Sequence, residues 1–392
     1  MEEPIELHIN ETGNPIRTMN QSSPVIFEQQ QALNGYTIGI ATLNAEKSLN
    51  ALSLDMIDLL THQLMEWSID DKLACVVLRG AGDKAFCAGG DIVKLYESMR
   101  QSPNGPNPYA ENFFTREYSL DYLIHTYPKP IICIGHGVVM GGGLGLFAGA
   151  THRVVTEHSR IAMPEITIGL FPDVGGTWFL NKMPDNCGLY LGLTGASINA
   201  TDALYLKLAT HFISSDSRSS LLRQLKSADW SDSTQSNSSV VDGILNTLSE
   251  SAQSIRPPAQ VEAHQELIKE VTSHNSLPEI VSAITQLETE EKWLNRGIAA
   301  LKNGCPTTAK IVYHQITKGK NLSLKEVFKN ELVIAIQCTR HPDFAEGIRA
   351  LLIEKDNTPK WFFSDIEDVT EEWLNEHLTS PWPVSHHPLK SL

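Results

Sequence analysis

The sequence predicts an α/β protein in which strand–strand–helix units follow one another in a spiral, with a helical part at the C-terminal end. Two observations carry this prediction. A short apolar run typical of a buried strand, a glycine turn and the start of a helix occur in succession at 75–91 and again at 131–149. After Phe212 the composition changes, and from Gln260 onward the apolar residues recur at helical spacing.

Length and charge limit the class of protein. With 392 residues, 41% of them hydrophobic, the chain can bury a large core. The formal net charge of −15 argues against a nucleic-acid partner and against an anionic membrane surface. No apolar run reaches the length that a membrane-spanning helix needs, so we expect no membrane partner.

Cysteine and histidine usage gives no support for a metal site. The six cysteines show no CxxC pair or zinc spacing, and the fourteen histidines are scattered. We expect all six cysteines to be reduced, as in a reducing compartment. The first six residues are acidic and lack the basic character of a secretory signal or transit peptide, which predicts a cytoplasmic protein.

The first elements are a hairpin and a helix. Residues 1–24 are polar, and we expect a loose tail there. Residues 25–27 and 36–43 are expected to pair as a hairpin that turns at Asn34 and Gly35. Ser53 can cap a helix, whose apolar stripe would consist of Met56, Ile57, Leu60, Leu64 and Trp67.

A helix at 108–126 places one acid on an apolar face. By helical spacing, Glu117 shares that face with Phe113, Leu120 and Ile124. The spacing indicates that Glu117 points inward. The alternative is a glutamate at the edge of the stripe that reaches water.

The stretch from 131 to 176 holds the strongest chemical signal. A strand at 131–134 is followed by a run of glycines at 141–143, which lets the backbone approach a ligand and point unpaired N–H groups at it. Glu165 and Asp173 follow among apolar residues and glycines, with almost no lysine or arginine nearby. Backbone donors with acids in apolar surroundings indicate chemistry on a carbonyl that develops negative charge. From the glycines alone, a tight strand-to-helix turn with a surface glutamate is an equally good interpretation.

We therefore divide the chain into four parts. These are a tail at 1–24, a binding and catalytic core at 25–213, a variable Ser-rich surface segment or linker at 214–259 and a helical part at 260–392. In the last part, Ser323 and Glu326 form a capping box ahead of an apolar stripe. Because residues 231–239 contain almost nothing apolar, we expect their removal to leave fold and activity nearly intact.

Several common catalytic motifs are absent. The sequence has no G-x-S-x-G elbow, no Walker A loop and no HExxH. Gly135 and Gly137 begin a G-x-G pattern that lacks its third glycine, so a dinucleotide-binding fold is not expected.

Five separated motifs resemble the crotonase superfamily, also called the enoyl-CoA hydratase/isomerase superfamily. They are KSLNAL at 47–52, AFCAGGD at 85–91, HGVVMGGG at 136–143, MPEITIGLFPDVGG at 163–176, and DFAEGIRALLIEKD at 343–356 with PKW at 359–361. The resemblance covers about 25–213 and 300–378, and it implies a crotonase-like (ClpP/crotonase) α/β spiral of ββα units.

The resemblance also implies roles for residues of the site. The backbone N–H groups of Gly90 and Gly142 would form the oxyanion hole for a thioester carbonyl. Glu165 matches the catalytic glutamate of the family, and Asp173 and Glu117 match its acidic substrate-binding positions. The apolar neighbours of Glu165 should raise its pKa somewhat while leaving it largely ionised at neutral pH.

Two further residues are expected on the CoA side of the site. Carbonyl groups around Ala88 would accept hydrogen bonds from the adenine amine of CoA. Lys47 is a candidate contact for the CoA phosphates, and a solvated lysine is almost as good an interpretation.

One departure from the pattern bears on the reaction. Hydratases of this superfamily carry a second glutamate two residues past the last glycine of the G-G-G run, and Gly145 stands there in this sequence. Syn addition of water to an enoyl double bond uses two carboxylates, of which one is missing here. A single carboxylate can still activate water, or attack the thioester carbonyl itself to form an anhydride.

The expected activity is therefore acyl-CoA thioester hydrolysis, and the resemblance implies 3-hydroxyisobutyryl-CoA, an intermediate of valine catabolism, as the substrate. An enoyl-CoA hydratase or isomerase is the first alternative, and a non-enzymatic CoA-binding protein is the second. No cofactor is expected beyond the CoA portion of the substrate. A homo-oligomer is possible, because crotonases are often trimers or pairs of trimers.

Overall fold

The computed structural model describes residues 8–9, 15–16, 23–103 and 105–392. Most of the predicted loose tail lies outside these residues, and its two short described pieces pair with each other as antiparallel strands. The strands of the described residues are β1 (His8–Ile9), β2 (Pro15–Ile16), β3 (Val25–Gln31), β4 (Thr37–Leu43), β5 (Leu73–Gly80), β6 (Ala85–Cys87), β7 (Ile131–Gly135), β8 (Val138–Met140), β9 (His152–Val155), β10 (Arg160–Ala162) and β11 (His211–Phe212).

The helices occupy the spaces between strands and most of the C-terminal half. They are α1 (Leu54–Ser68), α2 (Ile92–Gln101), α3 (Pro108–His125), α4 (Gly142–Gly149), α5 (Gly176–Leu180), α6 (Cys187–Thr194), α7 (Ala200–Tyr205), α8 (Arg218–Ser227), α9 (Thr234–Ala252), α10 (Gln265–Thr272), α11 (Leu277–Thr285), α12 (Lys292–Asn303), α13 (Pro306–Lys318), α14 (Leu324–Arg340), α15 (Pro342–Ile348) and α16 (Glu371–Leu378). No helix of the described ranges is both long enough and apolar enough to cross a membrane.

Two sheets arise from the repeated strand–strand–helix unit. Six strands form the main sheet in the order β11–β9–β7–β5–β4–β3, and three form a smaller sheet in the order β10–β8–β6. Along the chain, β5, β7 and β9 each add one strand to the main sheet, and the next strand joins the smaller sheet. Every pair in the two sheets is parallel except β3–β4. This alternation is the predicted spiral of ββα units.

The local signals of the first elements act as expected. β3 and β4 form the antiparallel hairpin, and its turn contains Gly35 with a φ of +88°. The backbone N–H of Met56 donates to the Ser53 hydroxyl at 3.2 Å, which caps α1. The buried side chains of α1 are those of the predicted stripe.

Residues 214–259 differ from the linker expected there. They hold α8 and α9, whose residues Leu221, Leu225, Val241 and Leu245 are fully buried against one face of the main sheet. These apolar residues recur at four-residue spacing, so the serine-rich composition concealed two helical stripes.

The removal of residues 231–239 is consequently expected to damage the fold. The Ser233 hydroxyl caps α9 by accepting from the N–H of Ser236. The buried Asn237 side chain bonds both the N–H and the C=O of Ser231, at 3.0 and 2.9 Å.

The C-terminal helices pack directly on the core. Phe328 of α14 is fully buried and packs against the ring of Tyr118 in α3. The predicted capping box begins α14, with the N–H of Ser323 donating to the Glu326 carboxylate at 2.8 Å. Buried residues of α12 to α15 belong to the same hydrophobic cluster as the core strands and α3, so this part of the chain can contribute to a site in the core.

Candidate active site

A cavity of about 250 Å³ lies where α3, the start of α4 and the turn after β10 meet. The predicted site residues lie around it, with the exception of Lys47. They are Ala88, Gly90, Glu117, Gly142, Glu165 and Asp173. The remaining lining is largely apolar, and Leu351 and Leu352 of the C-terminal part complete it.

Gly90 and Gly142 form a cradle of backbone donors at one wall. Gly142 is the first residue of α4, so its N–H has no partner within the helix. Across residues 23–103 and 105–392, no backbone carbonyl accepts from the N–H of Gly90 or Gly142. A Cβ atom on Gly142 would lie 3.4 Å from the nitrogen of Gly90 and 2.2 Å from Oε1 of Glu117. A side chain at 142 would therefore displace the Glu117 carboxyl, and the nitrogen of Gly90 lies beside Gly142.

Glu165 lies against this cradle. It begins a short 3-10 turn after β10, is 4% exposed, and its Oε2 has no hydrogen-bond partner in the described part of the chain. A Cβ atom on Gly141 would lie 3.1 Å from its Oε1. Burial, with smaller contributions from Asp173 and Glu117, raises the pKa of Glu165 well above its ordinary value. The direction is the expected one, and the carboxyls of Asp173 and Glu117 add to the effect of burial.

Asp173 and Glu117 form the acidic side of the cavity. Asp173 is 4% exposed and accepts a hydrogen bond from the Tyr118 hydroxyl at 2.7 Å. Burial raises the pKa of Asp173 to about 7, although the Tyr118 hydrogen bond opposes this rise. Glu117 is 2% exposed and points inward, as the spacing of α3 indicated. Burial and then Asp173 raise the pKa of Glu117 well above its ordinary value.

The loop that carries Asp173 is held by the C-terminal helices. Val174 and Gly175 have φ values of +50° and +89°, and such a backbone needs support when one residue is β-branched. The buried carboxylate of Glu331 accepts from the N–H groups of Gly175 and Thr177, at 2.7 and 2.8 Å. Burial raises the pKa of Glu331 to about 8, and these two N–H bonds limit the rise.

Tyr118 and Glu331 are residues that the sequence analysis missed. Glu331 follows Val327 by four positions, so it lies on the apolar stripe of α14 and could have been found in the way Glu117 was. Tyr118 follows Phe114 by four positions on α3, so helical spacing could have placed it inside as well.

The expected CoA contacts lie on one side of the cavity. Ala88 lines it, and its N–H donates to the carbonyl of Leu49 at 3.1 Å. Lys47 lies two residues before Leu49, exposed, in a short 3-10 turn. Lys47 is therefore connected to the Ala88 side of the cavity and is not near the buried acids.

The cavity offers donors and acids, and no metal ligand set. In the ranges that the structure describes, no group of three or more histidine, cysteine or acidic side chains could hold a metal ion. All six cysteines are buried and none is in a disulfide. An oxygen that becomes negative could be held by the two N–H groups, next to a carboxylate that can take a proton or attack.

A comparison with known proteins gives one family. A family model described as enoyl-CoA hydratase/isomerase matches residues 38–378. The chain is 37% identical over 346 residues to a Danio rerio protein named 3-hydroxyisobutyryl-CoA hydrolase, mitochondrial, and the alignment covers 87% of each of the two chains. A Homo sapiens protein of the same name is 37% identical over 342 residues, covering 87% of this chain and 86% of the relative.

Solved structures agree with this family. An enoyl-CoA hydratase from Rhodobacter sphaeroides 2.4.1 superposes with a TM-score of 0.78 at 29% identity, covering 92% of this chain and 98% of that one. A carnitinyl-CoA dehydratase from Mycobacterium thermoresistibile gives a TM-score of 0.80 at 28% identity, with 93% and 99% covered. Both TM-scores indicate the same overall fold. The superposed regions include both the core and the C-terminal helices.

Proposed function

Because the chain belongs to the enoyl-CoA hydratase/isomerase family, we propose that its cavity hydrolyses the thioester of 3-hydroxyisobutyryl-CoA, giving 3-hydroxyisobutyrate and CoA. The observation that carries the proposal is the buried carboxylate of Glu165, which has an unpaired oxygen and lines the same cavity as the N–H groups of Gly90 and Gly142. The names of the Danio rerio and Homo sapiens relatives support this substrate, which valine catabolism produces.

The reaction uses these groups in two steps. The thioester carbonyl oxygen accepts from Gly90 and Gly142, which stabilise the negative charge that develops on it. In one route Glu165 takes a proton from water as the water oxygen attacks the carbonyl carbon; the C–S bond then breaks and the sulfur takes that proton. In the other route Glu165 attacks the carbonyl carbon itself, the C–S bond breaks and the CoA thiolate leaves; water then hydrolyses the anhydride and gives the thiolate a proton. A single turnover in ¹⁸O-labelled water identifies the anhydride route when water attacks the Glu165 carbonyl, since the label then enters Glu165 and not the product acid, whereas direct attack by water labels the product.

The acyl hydroxyl is proposed to bind at Glu117 and Asp173. Both side chains are buried at the cavity wall, and a substrate hydroxyl would give them a hydrogen-bond partner. An acyl group without that hydroxyl leaves buried acceptors unpaired, which costs about 1–3 kcal/mol for each. Isobutyryl-CoA should accordingly be a poorer substrate than 3-hydroxyisobutyryl-CoA by at least tenfold in kcat/KM.

An enoyl-CoA hydratase is the second candidate, because a solved hydratase is among the similar structures. The space at Gly145 argues against it. A Cβ atom there would lie 2.6 Å from Cβ of Val174 and 2.9 Å from Oδ2 of Asp121, so position 145 has no room for a second glutamate.

A thiol-release assay over a panel of acyl-CoAs tests the proposal. The panel contains 3-hydroxyisobutyryl-, 3-hydroxypropionyl-, isobutyryl- and crotonyl-CoA, and loss of the crotonyl double bond is followed in parallel. We expect fast thiol release from the two hydroxyacyl-CoAs and negligible hydration of crotonyl-CoA. Rapid hydration with slow thiol release would replace the hydrolase by the hydratase.

Three further points belong to the same proposal. No cofactor is proposed beyond the CoA portion of the substrate, with Lys47 near its phosphates and carbonyl groups around Ala88 near its adenine. The partners are the acyl-CoA and further copies of the chain. The relatives from Danio rerio and Homo sapiens are named mitochondrial, whereas the sequence analysis predicted a cytoplasmic protein.

A further inference from the structure

One face of α3 carries three titratable side chains at four-residue spacing, namely Glu117, Asp121 and His125. Residues at this spacing lie one above the other on a helix, with Cβ atoms about 5–6 Å apart. Glu117 lines the cavity, and Asp121 lies behind it, outside the cavity lining. We call these three residues the α3 column.

The glycines of α4 match the α3 column one by one. A Cβ atom on Gly142 would lie 2.2 Å from Oε1 of Glu117, and one on Gly145 would lie 2.9 Å from Oδ2 of Asp121. A Cβ atom on Gly149 would lie 3.0 Å from Cδ2 of His125. The column therefore occupies the space that side chains of α4 would otherwise fill.

Two members of the column have buried polar atoms without a partner. Asp121 is completely buried, and neither of its oxygens has a hydrogen-bond partner in the described residues. Nε2 of His125 is also buried and unpartnered, although the residue as a whole is partly exposed. Buried polar atoms are normally paired, because leaving one unpaired costs about 1–3 kcal/mol. The unpaired atoms of Asp121 and His125 are therefore suited to bind a ligand such as water.

The proposed reaction releases a proton inside this cavity. A thioester and water give a carboxylic acid and a thiol, and at neutral pH the acid ionises to a carboxylate and one proton. Among the described residues, no lysine, arginine or histidine lines the cavity, and the carboxyl groups that do line it are buried. The proton must leave before the next turnover can begin from the same charge state.

We propose that Glu117, Asp121 and His125 form a proton-transfer route that carries this proton from the cavity to the partly exposed end of α3. The route depends on the proposed hydrolase activity. A carboxyl group passes a proton on by taking one on its carbonyl oxygen and releasing one from its hydroxyl, and bridging water spans each step along the column. An asparagine in place of Asp121 keeps the shape of the side chain and cannot release a proton in this way.

The charged groups around the route suit this role. Burial raises the pKa of Asp121, and Glu117, Asp173 and Glu331 raise it further, which keeps a proton on the carboxyl. Burial lowers the pKa of His125 to about 4, with smaller contributions from Arg153 and Lys182. The imidazole is therefore neutral at neutral pH and can accept a proton on one ring nitrogen while it releases one from the other.

Two variants of the full chain, D121N and H125Q, test the route by thiol release from 3-hydroxyisobutyryl-CoA at low buffer concentration. We expect kcat to fall about 10- to 100-fold in each variant, with KM unchanged. This loss is smaller than the loss expected when a catalytic acid–base group is removed. The solvent deuterium isotope effect on kcat should rise, and added imidazole should restore activity. The matched control is Thr115→Val, since Thr115 of α3 also has a buried unpartnered oxygen and lies outside the column.

The outcomes separate the route from the hydrolase activity. Wild-type kcat and isotope effect in both variants would overturn the route, and so would a lower kcat that imidazole does not restore, since that result indicates a structural role. A fall of the same size in the Thr115→Val control would overturn it as well. If the wild-type chain releases no thiol from any acyl-CoA of the panel, the hydrolase proposal fails and the route fails with it.

Discussion

Five buried carboxylates of this protein form two groups that differ in what surrounds them. We call Asp202, Glu331 and Asp343 the anchored carboxylates, because each accepts from two or more donors of the protein. We call Asp121 and Glu165 the unpaired carboxylates, because oxygens of both lack any partner within the described residues. All five residues are no more than 4% exposed, so burial alone does not distinguish them.

The anchored carboxylates join separate segments of chain. Asp202 accepts from the N–H groups of Gln260 and Val261, at 2.7 and 2.8 Å, and so attaches the segment before α10 to α7. Asp343 accepts from the Thr307 hydroxyl at 3.0 Å and from the N–H of Phe362 at 2.7 Å. Backbone donors compensate the loss of hydration in such places, and the carboxylate then stabilises the fold.

The unpaired carboxylates lie in and behind the cavity, and among the described residues no donor compensates the burial of their unpaired oxygens. A protein keeps such a group at a cost in stability, and the cost is reasonable where the group must bind a ligand or move a proton. The comparison therefore predicts opposite results: a change of an unpaired carboxylate affects catalysis, and a change of an anchored one affects the fold.

The largest effect is expected for Glu165→Gln. Glutamine keeps the shape and hydrogen-bonding capacity of the side chain and removes both the nucleophile and the base. We expect kcat for thiol release to fall 10²–10⁴-fold, about the range for a positioned acid–base group, with KM little changed. The thermal midpoint should stay the same or rise. Near-normal thiol release by the variant would show that Glu165 takes no part in the reaction. Glu165 would then not differ in role from the anchored carboxylates.

The acid limb of the pH–rate profile gives a second check on Glu165. The residue must be ionised to act as base or nucleophile, and burial raises its pKa. Activity should therefore fall as the pH is lowered through a value above the ordinary glutamate pKa of about 4.3. A limb at or below that ordinary value would contradict the raised pKa.

A smaller effect, of the opposite kind, is expected for Glu331→Gln. The glutamine oxygen can accept from only one of the two N–H groups of Gly175 and Thr177, and its amide then faces the other donor. The free energy of unfolding should fall by about 1–3 kcal/mol. Since the loop with Asp173 loses support, KM for the hydroxyacyl-CoA should rise more than kcat falls.

A neighbouring residue provides the control for Glu331→Gln. The amide of Gln315 donates to the carbonyl of Pro172 and to the Thr177 hydroxyl, both at 2.8 Å, and so also supports the loop. Gln315→Glu should likewise lower stability and raise KM. A variant of either residue that lowers kcat alone would show that this residue acts on the chemistry and not only as a support of the loop.

Sequence reasoning located the unpaired Glu165 and the cradle, and it located few of the residues that support them. Glu165, Gly90 and Gly142 belong to short motifs, whose glycines and acids are adjacent in the chain. Glu331 reaches the loop with Asp173 from α14, more than 150 residues away, and no local pattern records which loop an inward-facing glutamate will meet.

Asp121 shows a different kind of omission. It follows Glu117 by four positions, so helical spacing already placed it on the inward face of α3. The sequence analysis placed only Glu117 among the acids of that face. In the same way, the serines and asparagines of 214–239 concealed helices whose apolar residues cover one face of the main sheet.

The last prediction concerns stability and tests whether the Asp121 carboxyl lacks a stabilising partner in the folded protein. Its pKa is raised in the folded protein, so between the unfolded pKa of about 3.9 and the higher folded value the native state binds more protons than the unfolded state. Stability must then decrease as the pH rises through that window, by up to about 1.4 kcal/mol per pH unit from this one group. Asparagine does not titrate, so the difference in unfolding free energy between Asp121→Asn and the wild type should move in favour of the variant from pH 4 to pH 7. Urea unfolding at a series of pH values measures this difference.

Asp202→Asn is the control. The asparagine amide cannot accept from three N–H groups, so this variant should lose stability throughout the pH range. If Asp121→Asn loses as much stability at pH 7 as Asp202→Asn does, Asp121 has a native partner and the two groups of carboxylates are one.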